Sequence, residues 1–181
     1  MAAAAGPMRR VSAVRDVVIE LPADQVLEVV RDIALLEPLE RKARHVEIYP
    51  ETSTSGAYLI IGRLFRVLPW EGRFSYDHHD SGWHSEDLSP RQDGWRISGG
   101  FLVSRIDDAT CRVTHYEDYS VPVRWRWLRP LLAAYMRRSQ VGEMRDLAVL
   151  VTRTVAERHP APVQPRFAVS VATSPRTGTA E

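Results

Sequence analysis

Hydrophobic positions change their repeat twice along this chain. From Ser12 to Glu20 the residues are rich in β-branched types and end in Val17-Val18-Ile19, which predicts a strand. Leu21-Pro22-Ala23-Asp24 closes it, and the proline suits a helix entrance. Val26, Leu27, Val29, Val30 and Ile33 then recur at helical spacing, predicting an amphipathic helix that stops before Pro38, with a short second helix near Leu39. Beyond it the repeat falls to two. Val46 and Ile48 alternate with His45, Glu47 and Tyr49, and strands are predicted over 58–65, 67–78, 82–88, 94–105 and 111–121, separated by Asp-, Gly- and Pro-bearing turns. From Arg126 to Glu157 the helical repeat returns in one element of about 45–50 Å at ~1.5 Å per residue, with Pro130 near its start. Its apolar stripe thins over Arg137, Arg138, Ser139 and Gln140 before Gly142, where a bend is expected.

Residues 1–9 are small or polar, and 159–181 carry Pro160, Pro162, Pro165 and Pro175 among Ser, Thr, Ala and Gly; both are expected to be disordered tails. The 10–158 interval is one domain by length, and about 150 residues bury roughly 70% of their unfolded surface, enough to surround an interior.

Charge removes some function classes. The 24 basic and 23 acidic residues leave a net +1, which supports neither a nucleic-acid partner nor a polybasic membrane anchor. Twenty-three of the 24 bases are arginine, a skew that fits GC-rich, actinobacterium-like coding. Cys111 is the sole cysteine, so neither a disulfide scaffold nor a cysteine-rich metal cage is available. No stretch reads as a secretory signal or reaches the ~18 apolar residues of a spanning helix, so a cytoplasmic protein without stable membrane association is expected.

The stretch Val17-Val18-Ile19-Glu20-Leu21-Pro22-Ala23-Asp24-Gln25-Val26 with Arg31-Asp32, together with Met144-Arg145-Asp146-Leu147-Ala148-Val149-Leu150, resembles the opening and closing segments of the polyketide cyclase/dehydrase and START-like (SRPBCC) superfamily. Where that superfamily carries a Trp-Pro pair, this chain has Glu37-Pro38-Leu39-Glu40. The resemblance covers about 10–158. It implies an α+β helix-grip fold, a curved antiparallel sheet of about seven strands wrapped around a long C-terminal helix, and a pocket for a hydrophobic small molecule. It does not choose among cyclases or aromatases of polyketides, lipid carriers and proteins of producer self-resistance.

Strand alternation puts Trp70, Gly72, Phe74, Tyr76 and His78 on one face, Trp95, Ile97, Gly99, Phe101 and Val103 on another, and Cys111, Val113, His115, Glu117, Tyr119 and Val121 on a third. By residue type alone these faces fit a filled aromatic core better than a cavity wall; the resemblance implies the cavity. The expected ligand contacts are Trp70, Phe74, Tyr76, His78, Trp95, Ile97, Gly99, Phe101, Val113 and Tyr135. A buried polar group without partners costs about 1–3 kcal/mol, so inward-facing His78, His115, Glu117 and Tyr119 need a reason, which is ordinary hydrogen bonding or chemistry. In the chemical reading His115 and Glu117 are an acid–base pair that moves a proton on a ketone, with Tyr119 or Tyr76 stabilising the enolate oxygen.

No metal or other cofactor is expected, since His78 and His79 point to opposite faces and cannot readily share an ion. Cys111 reads as a buried thiol. Gly99-Gly100 reads first as a bulge or bend that curves the sheet around the helix, second as bare backbone beside a ligand, the feature a self-resistance protein attacked at a glycine would need. Arg124-Trp125-Arg126-Trp127 alternates cation and ring, as a snorkelling surface segment, a pocket gate or a lipid contact would.

Overall fold

Proline at position 22 takes extended backbone angles and ends the first strand where the first helix begins. The computed structural model describes residues 8–39, 43–64, 68–88 and 95–159. Apart from residues 8, 9 and 159, the two predicted tails lie outside the described residues. Strand β1, Met8–Ile19, is followed by α1, Ala23–Arg31, then α2, Ile33–Leu36, and a 3-10 turn at Glu37–Leu39. The valines at 26, 29 and 30 on α1 are fully buried, as its helical repeat requires. The Asp32 side chain accepts from the Leu35 amide at 3.4 Å and caps α2.

Six more strands follow: β2 Ala43–Pro50, β3 Ser55–Leu64, β4 Leu68–His79, β5 Gly82–Asp87, β6 Arg96–Arg105 and β7 Cys111–Pro122. All neighbouring pairs are antiparallel, and the seven strands form one sheet in the order β1-β7-β6-β5-β4-β3-β2. The β4–β5 connection is a tight turn whose Gly82 has a φ of 157° and whose added Cβ would lie 1.9 Å from the Phe101 carbonyl oxygen, so only glycine fits.

The last helix, α3, runs Arg129–Arg158 as 30 continuous residues and packs chiefly on β1. It begins later than the hydrophobic repeat predicts, because Val123–Leu128 forms a 3-10 segment and Pro130 stands in the first helical turn, where a missing N–H costs nothing. Arg158 reaches Glu28 on α1 at 2.7 Å, and the Trp83 indole N–H of β5 donates to the Val30 carbonyl at 2.9 Å, so helices and sheet are joined at that end.

The interior has two apolar clusters. One joins α1, the middle strands and the far half of α3 through Met144, Leu147, Val151 and Val155; the other gathers Val11, Ala13, Tyr119, Val121, Leu132 and Met136. Each such side chain fully removed from water contributes about 1.5–3 kcal/mol. Between the clusters α3 presents Gln140 and Glu143 inward, both buried. The thinning of the apolar stripe therefore marks a polar gap in the core, and the helix stays continuous through it.

The pair Gly99-Gly100 does not form the bulge that is one of its expected readings. Pairing of β6 with β5 and β7 runs through both residues without a register shift, so there is no bulge. A Cβ on Gly99 would lie 2.7 Å from the Tyr116 carbonyl oxygen, and one on Gly100 would lie 2.1 Å from that of Trp83. Close approach of neighbouring strand backbones is what demands glycine there.

Candidate functional site

The unshifted register lays side chains out in rows across three strands. Trp83, Phe101 and His115 form one row, and Ser85, Gly99 and Glu117 the next. Tyr119 pairs with Ile97 in the row beyond. These rows floor a cavity with about 110 Å³ reachable by the centre of a water molecule, several times the ~10–15 Å³ that one water needs by the same measure. Its other walls include Ile33, Leu36 and Leu39 from the helical segment, Tyr58 and Ile60 from β3, and Trp70 and Phe74 from β4.

One side of the cavity is aromatic. Tyr58 stacks on Phe74 at 5.2 Å between ring centres, Trp83 meets Tyr58 edge-on at 6.4 Å, and Trp70 tilts against Phe74 at 6.1 Å. The other side is polar and charged. His115 lies flat against Phe101, with ring centres 4.3 Å apart and planes 8° from parallel, and its Nδ1 is 3.8 Å from Glu143 Oε2. The Ser139 hydroxyl donates to Glu143 Oε1. Gln140, with 0% exposure, uses its amide nitrogen to donate to Glu117 Oε2 at 3.4 Å and to the Ala13 carbonyl at 3.3 Å. The imidazole and two carboxylates are thus held in place from β1, β6 and α3 while sharing a cavity with a hydrophobic wall. Their available ligand atoms all lie within 4.8 Å of one another, which makes them the group among the described residues able to hold a metal ion.

With that geometry in place, comparison adds the fold. No protein-family model matches the chain, and no curated protein sequence does. Solved structures do. The Zhui aromatase/cyclase from Streptomyces sp. R1128 aligns with TM-score 0.68 at 18% identity, over 87% of this chain and 100% of that one. Norcoclaurine synthase from Thalictrum flavum, in complex with dopamine and hydroxybenzaldehyde, aligns at 0.61 and 13%, over 81% and 88%. A STAR-related lipid transfer protein from Xanthomonas axonopodis aligns at 0.56 and 16%, over 83% and 89%. The chain has the helix-grip fold. In helix-grip terms the curved sheet is β1 to β7 and the gripped helix is α3.

Of the residues expected to act, His115, Glu117 and Tyr119 all line the helix-grip cavity, as do Trp70, Phe74, Ile97, Gly99 and Phe101 among the expected ligand contacts. Five others lie off it. Tyr76 and His78 sit further along β4 with their rings 5.3 Å apart; burial raises the phenol pKa of Tyr76, while burial and the nearby Arg31 charge lower that of His78. Val113 is fully buried in the larger cluster, Trp95 packs against the smaller one, and Tyr135 is half-buried on α3. Sequence reading missed Glu143, Gln140 and Trp83. A signal existed for the first two: Leu132, Met136, Gln140, Glu143, Leu147 and Val151 keep steps of three and four, so the inward stripe continues through polar residues.

No helix among the described residues is long and apolar enough to cross a membrane.

Proposed function

We propose that the protein binds a hydrophobic, ring-bearing small molecule of polyketide-like character and transfers a proton on it. The observation that carries this reading is the two-sided cavity, with stacked Tyr58 and Phe74 on one side and the His115–Glu143 contact at 3.8 Å on the other. A flat apolar guest gains from the aromatic wall, and its carbonyl end then meets the groups able to exchange protons. In the proposed step the imidazole of His115 takes a proton from the carbon next to a ketone. The electron pair moves onto the carbonyl oxygen as an enolate, and the Tyr119 hydroxyl donates a hydrogen bond to it. Glu143 steadies the imidazolium, and Glu117, fixed by Gln140, orients the guest through a ligand hydroxyl. The imidazolium then returns its proton to a different carbon of the conjugated guest, which completes an isomerisation, or gives it to a β-hydroxyl that the enolate's electron pair expels as water, a dehydration of the kind that leads toward an aromatic ring.

The likeness in fold to an aromatase/cyclase supports the substrate class. The test uses 2-tetralone, a bicyclic apolar ketone, with exchange of its α-protons for deuterium followed by NMR. The protein accelerates exchange, and His115→Ala removes roughly 10²–10⁴-fold of that acceleration while 2-tetralone still binds. Exchange that is unchanged in His115→Ala rejects the proton-transfer step. Gly99 and Gly100 on the cavity wall favour a second reading, sacrificial self-resistance, in which each molecule is cleaved once near Gly99 or Gly100. Repeated turnover by one molecule excludes it.

A further inference from the structure

The 3-10 segment Val123–Leu128 has no buried residue, and it carries two tryptophans. Trp127 is 67% exposed, the highest value among the exposed large hydrophobic residues, and Trp125 is 37% exposed; their rings are neighbours, 6.3 Å apart. Leu131, in the first turn of α3, is 61% exposed. The same stretch is strongly charged. From Val123 to Val141 there are five arginines and no acidic residue, in a chain whose total charge is only +1. Arg124, Arg126, Arg137 and Arg138 are exposed.

We propose that this segment is a docking surface for an anionic lipid bilayer. Tryptophan is the side chain best suited to the headgroup layer, having a large apolar ring and one N–H donor, and arginines beside it meet lipid phosphates. The arrangement argues against the other occupants of a basic aromatic patch. The two rings are inclined at 46° and so offer no parallel platform on which successive nucleic-acid bases would stack. A second copy of the chain would bring five arginines against five, which repels. Docking here is peripheral and reversible, and it does not depend on the chemistry assigned to the cavity.

The experiment is co-sedimentation of the full chain with vesicles of phosphatidylcholine alone and of phosphatidylcholine mixed with phosphatidylglycerol. The chain sediments with the mixed vesicles, weakly with phosphatidylcholine alone, and less at high salt. The double variant Trp125→Ala/Trp127→Ala loses most of the sedimenting fraction, and Arg124→Ala/Arg126→Ala loses the preference for phosphatidylglycerol. Val149→Ser, at an exposed apolar position far along α3, behaves as wild type. All these positions are exposed, so circular dichroism unchanged from wild type is expected throughout. Absence of sedimentation with mixed vesicles, equal sedimentation of the tryptophan variant, or binding to a single-stranded RNA in preference to vesicles overturns the proposal.

Discussion

His115 on β7 and Glu143 on α3 face one another at 3.8 Å, Nδ1 to Oε2, across the junction of the sheet and the helix it grips. A second carboxylate, Glu117, belongs to the same group within 4.8 Å. Two acids that close, with exposures of 5% and 8%, repel when both are ionised, a cost tolerated where function benefits. Glu143→Gln removes one charge and keeps an oxygen that can accept from Ser139. The expected outcome is opposite in two assays: a melting temperature higher by about 2–4 °C, equivalent to ~1 kcal/mol at this size, and slower deuterium exchange into 2-tetralone. A fall in both would mean that Glu143 is structural only.

Acid should lower the stability of the protein in two stages. Burial and Arg31 lower the His78 pKa, so the folded state holds fewer protons there than the unfolded chain; that stability is complete above the ordinary histidine range and is lost as pH falls through it. Hydrogen bonds from Arg10, at 2.7 Å from its Nε, and from Ser12 lower the Asp118 pKa, so its contribution is present above the ordinary carboxylate range and is lost in stronger acid. The Arg10 side chain is 68% exposed, which limits the pair to about 1 kcal/mol or less. Melting curves between pH 7 and pH 3 should show Asp118→Asn removing the lower stage, and His78→Gln the upper one.

The thiol of Cys111 is fully buried, and burial pushes its pKa up to about 11. It should resist iodoacetamide in the native protein at pH 8 and react once urea unfolds the chain. Because the folded pKa is raised, the associated stability is complete below the ordinary thiol value of 9.0 and is lost as pH rises toward 11. Rapid native alkylation would contradict this packing.

Gly100→Ala places a methyl group where the Trp83 carbonyl oxygen stands 2.1 Å away, so β5 or β6 must move. A loss of about 1–3 kcal/mol in urea unfolding is expected, with the larger Gly99→Val also narrowing the cavity floor. A neutral Gly100→Ala would show that the strands have slack.

Much of this was legible in the chain. Period-two alternation put His115, Glu117 and Tyr119 on the inward face of β7, and the cavity includes all three. The same rule placed Tyr76 and His78 on the correct face of β4, yet it could not say that the cavity ends before them, because a strand's face is local whereas the extent of a hollow depends on what packs above it. Glu143 was missed for a related reason. A hydropathy stripe treats Gln140 and Glu143 as interruptions, and only the meeting of α3 with β7 and β1 turns them inward onto His115, Glu117 and Ala13. The late start of α3 was legible in Pro130, but the apolar residues of the 3-10 segment masked it. Gly99 and Gly100 announced a constraint without its cause, since the carbonyls that forbid a Cβ come from other strands.

The central claim, an apolar guest seated between the aromatic wall and His115, is tested most directly by isothermal titration of the full chain with 2-tetralone. The account predicts saturable one-site binding to wild type, retained in His115→Ala and abolished in Ile97→Trp, which puts an indole into the cavity from its wall beside Tyr119. Equal heats for wild type and Ile97→Trp, or none for wild type, would contradict it.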